Sequence, residues 1–200
     1  MALNGKVIAI KESKEKRHSE ILHLYIEEIF NKTDFSIQDL QAVAISKGPG
    51  SYTGLRVGTS AAKGLCFALN IPLISIETLE IIAQQVKKTE VDFIIPMLNS
   101  KRMEVFTAVF DKKENHKTST FAKVLEHNSF EEYLEKGKVL FIGDGVKKFK
   151  EICNHPNALF QESYPSAKEM ISLAEEKFNL KDFENTAYFE PYYLKDFVVK

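Results

Sequence analysis

Residues 46–70, SKGPGSYTGLRVGTSAAKGLCFALN, decide how this chain is read. The apolar run Ala42-Val43-Ala44-Ile45 just before them predicts a short buried strand. Gly48-Pro49-Gly50 then interrupts any regular element, because proline has no amide donor and glycine has no side chain to bias its backbone. Thr53 stands where an N-cap hydroxyl belongs, and a helix is expected after it. On that helix Gly54, Gly58, Ala61, Gly64 and Ala68 fall on one face at spacings of four, three, three and four. Each mid-helix glycine costs about 1 kcal/mol against alanine. Three on one stripe therefore imply close approach of another backbone.

Three catalytic loop types do not fit this stretch. A P-loop ends in Gly-Lys-Ser/Thr, whereas Gly54 precedes Leu55 and Arg56. The dinucleotide fingerprint needs its third glycine one residue earlier than Gly54. A nucleophile elbow needs glycine two residues either side of its serine, and Ser51 has Pro49 and Thr53 there. Two readings stay open: a structural strand-turn-helix, or an anion held by the free amides at the helix start.

At 200 residues the chain accommodates one large or two small domains and can bury roughly 70% of its unfolded surface. A net charge of −1 argues against a protein that grips nucleic acid alone through a basic face. The two cysteines, Cys66 and Cys153, form no C-x-x-C pair and indicate neither a disulfide framework nor a zinc knuckle. No run approaches the roughly 20 apolar residues of a membrane span, and the start carries no signal-peptide core. A cytoplasmic globular protein is expected.

Strands and helices alternate along the chain. Strands are expected at residues 6–10, 42–46, 72–75, 93–98, 105–110 and 139–142. A charged turn is expected at 11–17 and a polar one at 111–117. Helix is expected over 18–30, where Ile21, Leu22, Tyr25, Ile26 and Ile29 share a face that Leu24 and Phe30 widen. Ser36 with Asp39 is expected to cap a short turn, and residues 78–87 to form a helix. Ser129 is expected to cap a helix ending at Glu135, with further helices at 146–153 and 166–177 and an extended segment at 192–194. The alternation predicts an α/β fold with mixed sheets. Pro96 marks the expected junction between lobes at 1–96 and 97–200.

The string GPGSYTGLRVGTSAAKGLCFALNIPLISIETLE resembles the signature region of the bacterial tRNA threonylcarbamoyladenosine biosynthesis family TsaB, also called YeaZ. Other pieces follow in the family's order: His18-Ser19-Glu20, Lys101-Arg102-Met103-Glu104-Val105-Phe106, Gly143-Asp144-Gly145 and Tyr164-Pro165-Ser166-Ala167. The likeness runs from about Lys6 to Leu194. It implies an actin/hexokinase/Hsp70-like fold of two α/β lobes and a role without chemistry of its own. It also implies pairing with the metal-bearing paralogue TsaD, which transfers the threonylcarbamoyl group, and with the ATPase TsaE. That paralogue carries two histidines four apart on a helix, and the corresponding positions here are Ile76 and Glu80. No metal, cofactor or catalytic residue is therefore expected. His18, His23, His116, His127 and His155 are read as lone surface residues.

Two departures from the family pattern stand out. Members begin with an apolar strand ending in Asp-Thr or Asp-Ser about one hairpin ahead of Lys6. This chain starts inside that hairpin, so the first lobe is expected to lack its first strand. Asn99 also stands where the family often has aspartate.

The leading expectation is a scaffold subunit, with tRNA contacted through the assembly. Its contact residues are Leu22, Tyr25 and Ile29 on the first helix and Gly54, Leu55, Gly58 and Ala61 on the glycine-bearing one. Such a pair suits a four-helix contact with a like pair, whether TsaD-like or a second copy. The bland alternative is that both helices simply cover their own sheet. The runner-up function is an ATP-binding enzyme of this fold or a peptidase of the M22 type. An ATPase needs carboxylates near phosphate loops, for which Asp144 is the only candidate.

Overall fold

The computed structural model describes residues 1–13, 18–86, 89–111 and 118–194, with the side chains of residues 18 and 19 outside that description. Parts of the expected turns at 11–17 and 111–117, the end of the helix expected at 78–87, and the side chains of His18 and His116 lie outside it too. In chain order come β1 (Ala2–Leu3), β2 (Lys6–Val7), α1 (His18–Phe30), β3 (Val43–Gly48), α2 (Tyr52–Leu69), β4 (Leu73–Glu77) and α3 (Thr78–Gln84). There follow β5 (Phe93–Asn99), β6 (Glu104–Thr107), β7 (Phe110–Asp111), β8 (Phe121–Val124), α4 (Glu131–Leu134) and β9 (Val139–Ile142). The last are α5 (Val146–Lys150), β10 (Ala158–Gln161) and α6 (Ile171–Leu180). This is the α/β architecture expected from the alternation.

The chain divides into two compact units. One combines Met1–Glu77 with Ser166–Tyr193, and the body of the other is Thr78–Pro165. This differs from the 1–96 and 97–200 lobes read from the sequence, for a physical reason. Pro96 lies inside β5 and faces Ile142 across a parallel ladder, so it marks the middle of a sheet rather than a junction.

In the first unit β1 and β2 form a tight hairpin, with Ala2 opposite Val7. Asn4 and Gly5 turn it with φ of 48° and 73°, the left-handed pair such two-residue turns require. β3 and β4 run parallel, Val43 opposite Leu73, and α2 supplies the crossover that parallel pairing needs. Asn70, at φ 53°, closes α2 with a left-handed cap. Ala62, Cys66, Leu73 and Phe189 are the buried centre here, with Val43, Ile45 and Ile71 packed around them. The C-terminal segment is tied in by the Glu184 N–H, which donates to the Leu73 carbonyl at 2.8 Å.

In the second unit the strand order is β10-β9-β5-β6-β8, with β7 also paired to β5. β10, β9 and β5 are parallel, while β6, β7 and β8 join antiparallel. Alternate residues serve the two faces, as a pleated strand dictates. Ile95, Met97, Val139 and Phe141 enter one cluster; Ile94, Leu98, Leu140 and Ile142 enter the other. Phe130, Phe141, Phe149 and Phe160 pack ring against ring within the first, Phe141 edge-to-face on Phe149 at 4.8 Å and stacked on Phe160 at 5.3 Å.

Several boundaries moved. The strand expected at 105–110 is two, β6 and β7, each pairing with a different end of β5. Ser129 does not cap α4: its Oγ accepts the Glu126 N–H at 2.9 Å, and Phe130, at φ 64°, occupies the cap position. Ser166 opens a 3-10 turn, Ala167–Met170, before α6 begins. Ser36 and Asp39 behave as expected, with the Asp39 carboxylate accepting the Ser36 N–H at 2.7 Å.

Candidate partner-binding surface

α2 starts two residues earlier than Thr53 suggested. Ser51 is the N-cap, and its Oγ accepts the Gly54 N–H at 3.3 Å. Leu55 turns back onto the preceding loop. Its Cδ1 lies 3.1 Å from where a Gly48 Cβ would stand, and its Cγ lies 3.9 Å from the same point on Gly50.

The small-residue stripe is not a single contact face. A Cβ on Gly58 would meet Ile45 Cδ1 at 3.5 Å, so Gly58 faces this chain's own β3. A Cβ on Gly54 would meet its own cap residue, Ser51, also at 3.5 Å. Gly64 has nothing within 4 Å. The truly buried positions of α2 are Thr59, Ala62 and Cys66.

Gly64 opens instead onto a groove of about 600 Å³ between α1 and α2. His23 and Ile26 form its α1 wall, Ile37 adds to the lining, and Val57, Ala61 and Leu65 form the α2 wall. Of the residues singled out from sequence, Ala61 lines this groove. Gly54, Leu55 and Gly58 serve the fold of α2, while Leu22, Tyr25 and Ile29 are half-buried on α1. Sequence reasoning missed the groove's Val57 and Leu65, although their spacing of eight puts them on one helix face.

None of α1's described side chains is fully buried. Leu24 remains 55% exposed and Phe67, on α2, 87% exposed. An amphipathic helix normally sinks its apolar stripe into a core. The Lys11 ammonium covers the Tyr25 ring at 5.6 Å and pairs with the Glu28 carboxylate.

Elsewhere, Asp144, Ile76, Glu80, His127 and His155 lie outside the lining of this groove. Asp144 accepts the Asn99 N–H at 2.8 Å, so the two loops fasten each other. Ile76 is a buried residue of β4 and Glu80 sits in the first turn of α3, so the two positions do not share a helix. His155 Nδ1 accepts the Asn157 N–H at 3.2 Å, and His127 is exposed. Among the described residues no group of three or more His, Cys, Asp or Glu side chains could hold a metal ion. No helix among them is long and apolar enough to cross a membrane. A second cavity of about 700 Å³ is lined by the β1–β2 hairpin, by Ala42 and Ala44 around the start of β3, and by α6.

The fold is shared with known proteins. The crystal structure of an uncharacterized protein with similarity to peptidase YEAZ, from Pseudomonas aeruginosa, superimposes with a TM-score of 0.79. That match covers 90% of this chain and 85% of that one at 21% identity. Residues 9–200 match the family model described as TsaD: tRNA N6-adenosine threonylcarbamoyltransferase. The tRNA threonylcarbamoyladenosine biosynthesis protein TsaB of Buchnera aphidicola subsp. Schizaphis graminum is 30% identical over 177 residues, 82% of this chain and 81% of that protein. The Escherichia coli K12 protein of the same name is 26% identical over 202 residues, 96% of this chain and 87% of that one. The chain belongs to the TsaB (YeaZ) family, within the wider group that the transferase model defines.

Proposed function

We propose that this chain is a non-catalytic subunit of the machinery that makes threonylcarbamoyladenosine in tRNA, working in the cytoplasm. It pairs through α1 and α2 with a TsaD-like catalytic paralogue and works with a TsaE-like ATPase. The observation that carries this reading is the apolar groove between two helices, one of which fully buries none of its described side chains. Helix pairs with uncovered apolar faces gain stability by packing on a like pair. A second copy of the chain presents the same surface, so self-association is the competing use of it.

Reconstitution tests the reading. The purified chain, its TsaD-like and TsaE-like partners, ATP, a threonylcarbamoyl donor and tRNA are combined, and modified adenosine is counted. Modification is expected to require the chain, and the chain alone is expected neither to hydrolyse ATP nor to cleave peptides. Equal modification without it, or ATP turnover by the pure chain that Asp144→Ala abolishes, defeats the proposal.

A further inference from the structure

Among the described residues β3 has one strand partner, β4, so its other edge is open. The ladder decides which backbone groups face that edge. The Val43 N–H donates to the Pro72 carbonyl at 3.1 Å, which turns Val43 toward β4. Leu73, opposite Val43, is turned away from β3 in the same way, and its carbonyl accepts the Glu184 N–H at 2.8 Å. Successive residues of a strand direct their N–H and C=O groups to opposite edges. Ala44 and Ser46 are therefore turned to the open edge. Ala44 is exposed and makes no hydrogen bond outside the β3–β4 ladder among the described residues.

That edge gives onto the cavity of about 700 Å³, whose lining includes Ala42, Ala44 and Ile74. Leu3, Val7, Ile8, Ile10, Phe35 and Phe178 line it too, and each is 36–45% exposed. All of these residues belong to the first unit. Large apolar side chains left uncovered around one cavity mark a contact surface. One wall is the β1–β2 hairpin, whose two-residue strands are wholly exposed. A hairpin of that kind is marginal by itself and gains from a third strand.

We propose that this gap receives an extended apolar strand of a second polypeptide, which adds to the edge of β3 at Ala44. The chemistry of the edge selects that occupant. An open strand edge is a template for another chain, and strand addition joins main-chain hydrogen bonds to pockets for alternate side chains. A lipid or small apolar molecule would cover the walls but leave the Ala44 amide and carbonyl buried without partners, at a cost. A helix spends its amides on its own carbonyls and has no row of them to offer. A second copy of this chain holds its β3 edge between the same walls, so a single strand enters where a whole sheet does not. The proposal is independent of the α1–α2 surface and of the function proposed above.

The test uses the whole chain and the blocked peptide acetyl-Lys-Val-Ile-Val-Ile-Lys-amide. The peptide is expected to bind, and hydrogen exchange of the Ala44 amide is expected to slow as it does. Methylating both Val amides, or both Ile amides, removes the donors along one edge of the peptide. At least one of these two peptides is expected to bind roughly tenfold more weakly, or worse. Ala44→Pro removes the outward N–H, a change that an open edge tolerates. Ala174→Phe narrows the cavity from α6. Both variants are expected to lose affinity by a similar factor while keeping the parent's circular-dichroism spectrum. Should Ala44→Pro fail to fold, Ala174→Phe and the methylated peptides decide. No binding of the parent peptide, or unchanged Ala44 exchange when it is saturating, overturns the proposal. Equal binding of all three peptides does so too, because apolar side chains are then held without a ladder. Self-association that Ala44→Pro abolishes and the peptide does not displace gives the edge to a second copy and likewise overturns it.

Discussion

The carbonyl oxygen of Tyr192 lies 2.7 Å from the point a Cβ on Gly48 would occupy. The same stretch is tied down by the Tyr192 N–H, which donates to the Lys47 carbonyl at 2.7 Å. Gly48 also has φ 114°, which side chains rarely adopt. Gly48→Ala should therefore cost on the order of 3 kcal/mol, from backbone strain and overpacking together. Urea unfolding measures it, and a midpoint equal to the parent's contradicts this account of the turn.

Gly58 and Gly64 should respond oppositely to the same substitution. Gly58→Leu drives a side chain toward Ile45 and should destabilise by about 1–3 kcal/mol. Gly64→Leu enters open space and removes a helix-interior glycine, so stability should hold or rise by up to about 1 kcal/mol. It fills the groove, however, and partner affinity should fall tenfold or more. Thermal unfolding and a dissociation constant read the two effects. Parent-like affinity in folded Gly64→Leu excludes the groove as the contact surface.

Tyr25→Ala gives an independent reading of α1. Removing a half-exposed aromatic should weaken partner binding by roughly 1–2 kcal/mol, as anchors of this type do. The circular-dichroism spectrum should stay that of the parent. Full affinity in this variant would count against α1 as part of the interface.

Thr59 is buried, and its Oγ1 has no hydrogen-bond partner among the described residues. An unsatisfied buried hydroxyl costs about 1–3 kcal/mol, and valine keeps its shape. Thr59→Val should raise the melting temperature by about 2–4 °C for each kcal/mol recovered. A drop instead would mean the hydroxyl is satisfied in solution.

Burial pushes the Cys66 thiol up, more than the neighbouring Val43 backbone group pulls it down. A raised folded value means the thiol's contribution is whole below about 8.5, the ordinary thiol value, and is lost as pH climbs through the folded one. Stability of the parent should thus fall between pH 8 and 10 more steeply than that of Cys66→Ala. Parallel urea midpoints for the two proteins across that range would remove Cys66 as the cause.

Local pattern was legible where one segment decides its own structure. α1 spans His18–Phe30 as its apolar spacing indicates, and β9 spans Val139–Ile142 likewise. β8 and β10 were not foreseen, because Phe121–Val124 and Ala158–Gln161 are strands only by virtue of the neighbour each one pairs with. The glycine stripe was read as one face, yet helical geometry makes it about 120° wide. That width is enough to turn Gly58 toward Ile45 while Gly64 opens outward. The cap moved from Thr53 to Ser51 for a comparable reason: both carry a hydroxyl, and only the fold decides which one meets a free amide. The groove needs α1 and α2 side by side, a juxtaposition no single stretch of sequence announces.

Lys63 Nζ donates to the Phe189 carbonyl across 126 residues of chain, and Phe189 itself closes the cluster around Cys66 and Leu73. During synthesis at about 5–20 residues per second, roughly 6–25 s separate the emergence of those partners from the ribosome. The body of the other unit, Thr78–Pro165, has been synthesised before Phe189 is made. The nascent first unit meanwhile waits with its apolar strand pair uncovered. Slower synthesis of residues 78–188 therefore lengthens the time for which that apolar surface waits for its C-terminal cover.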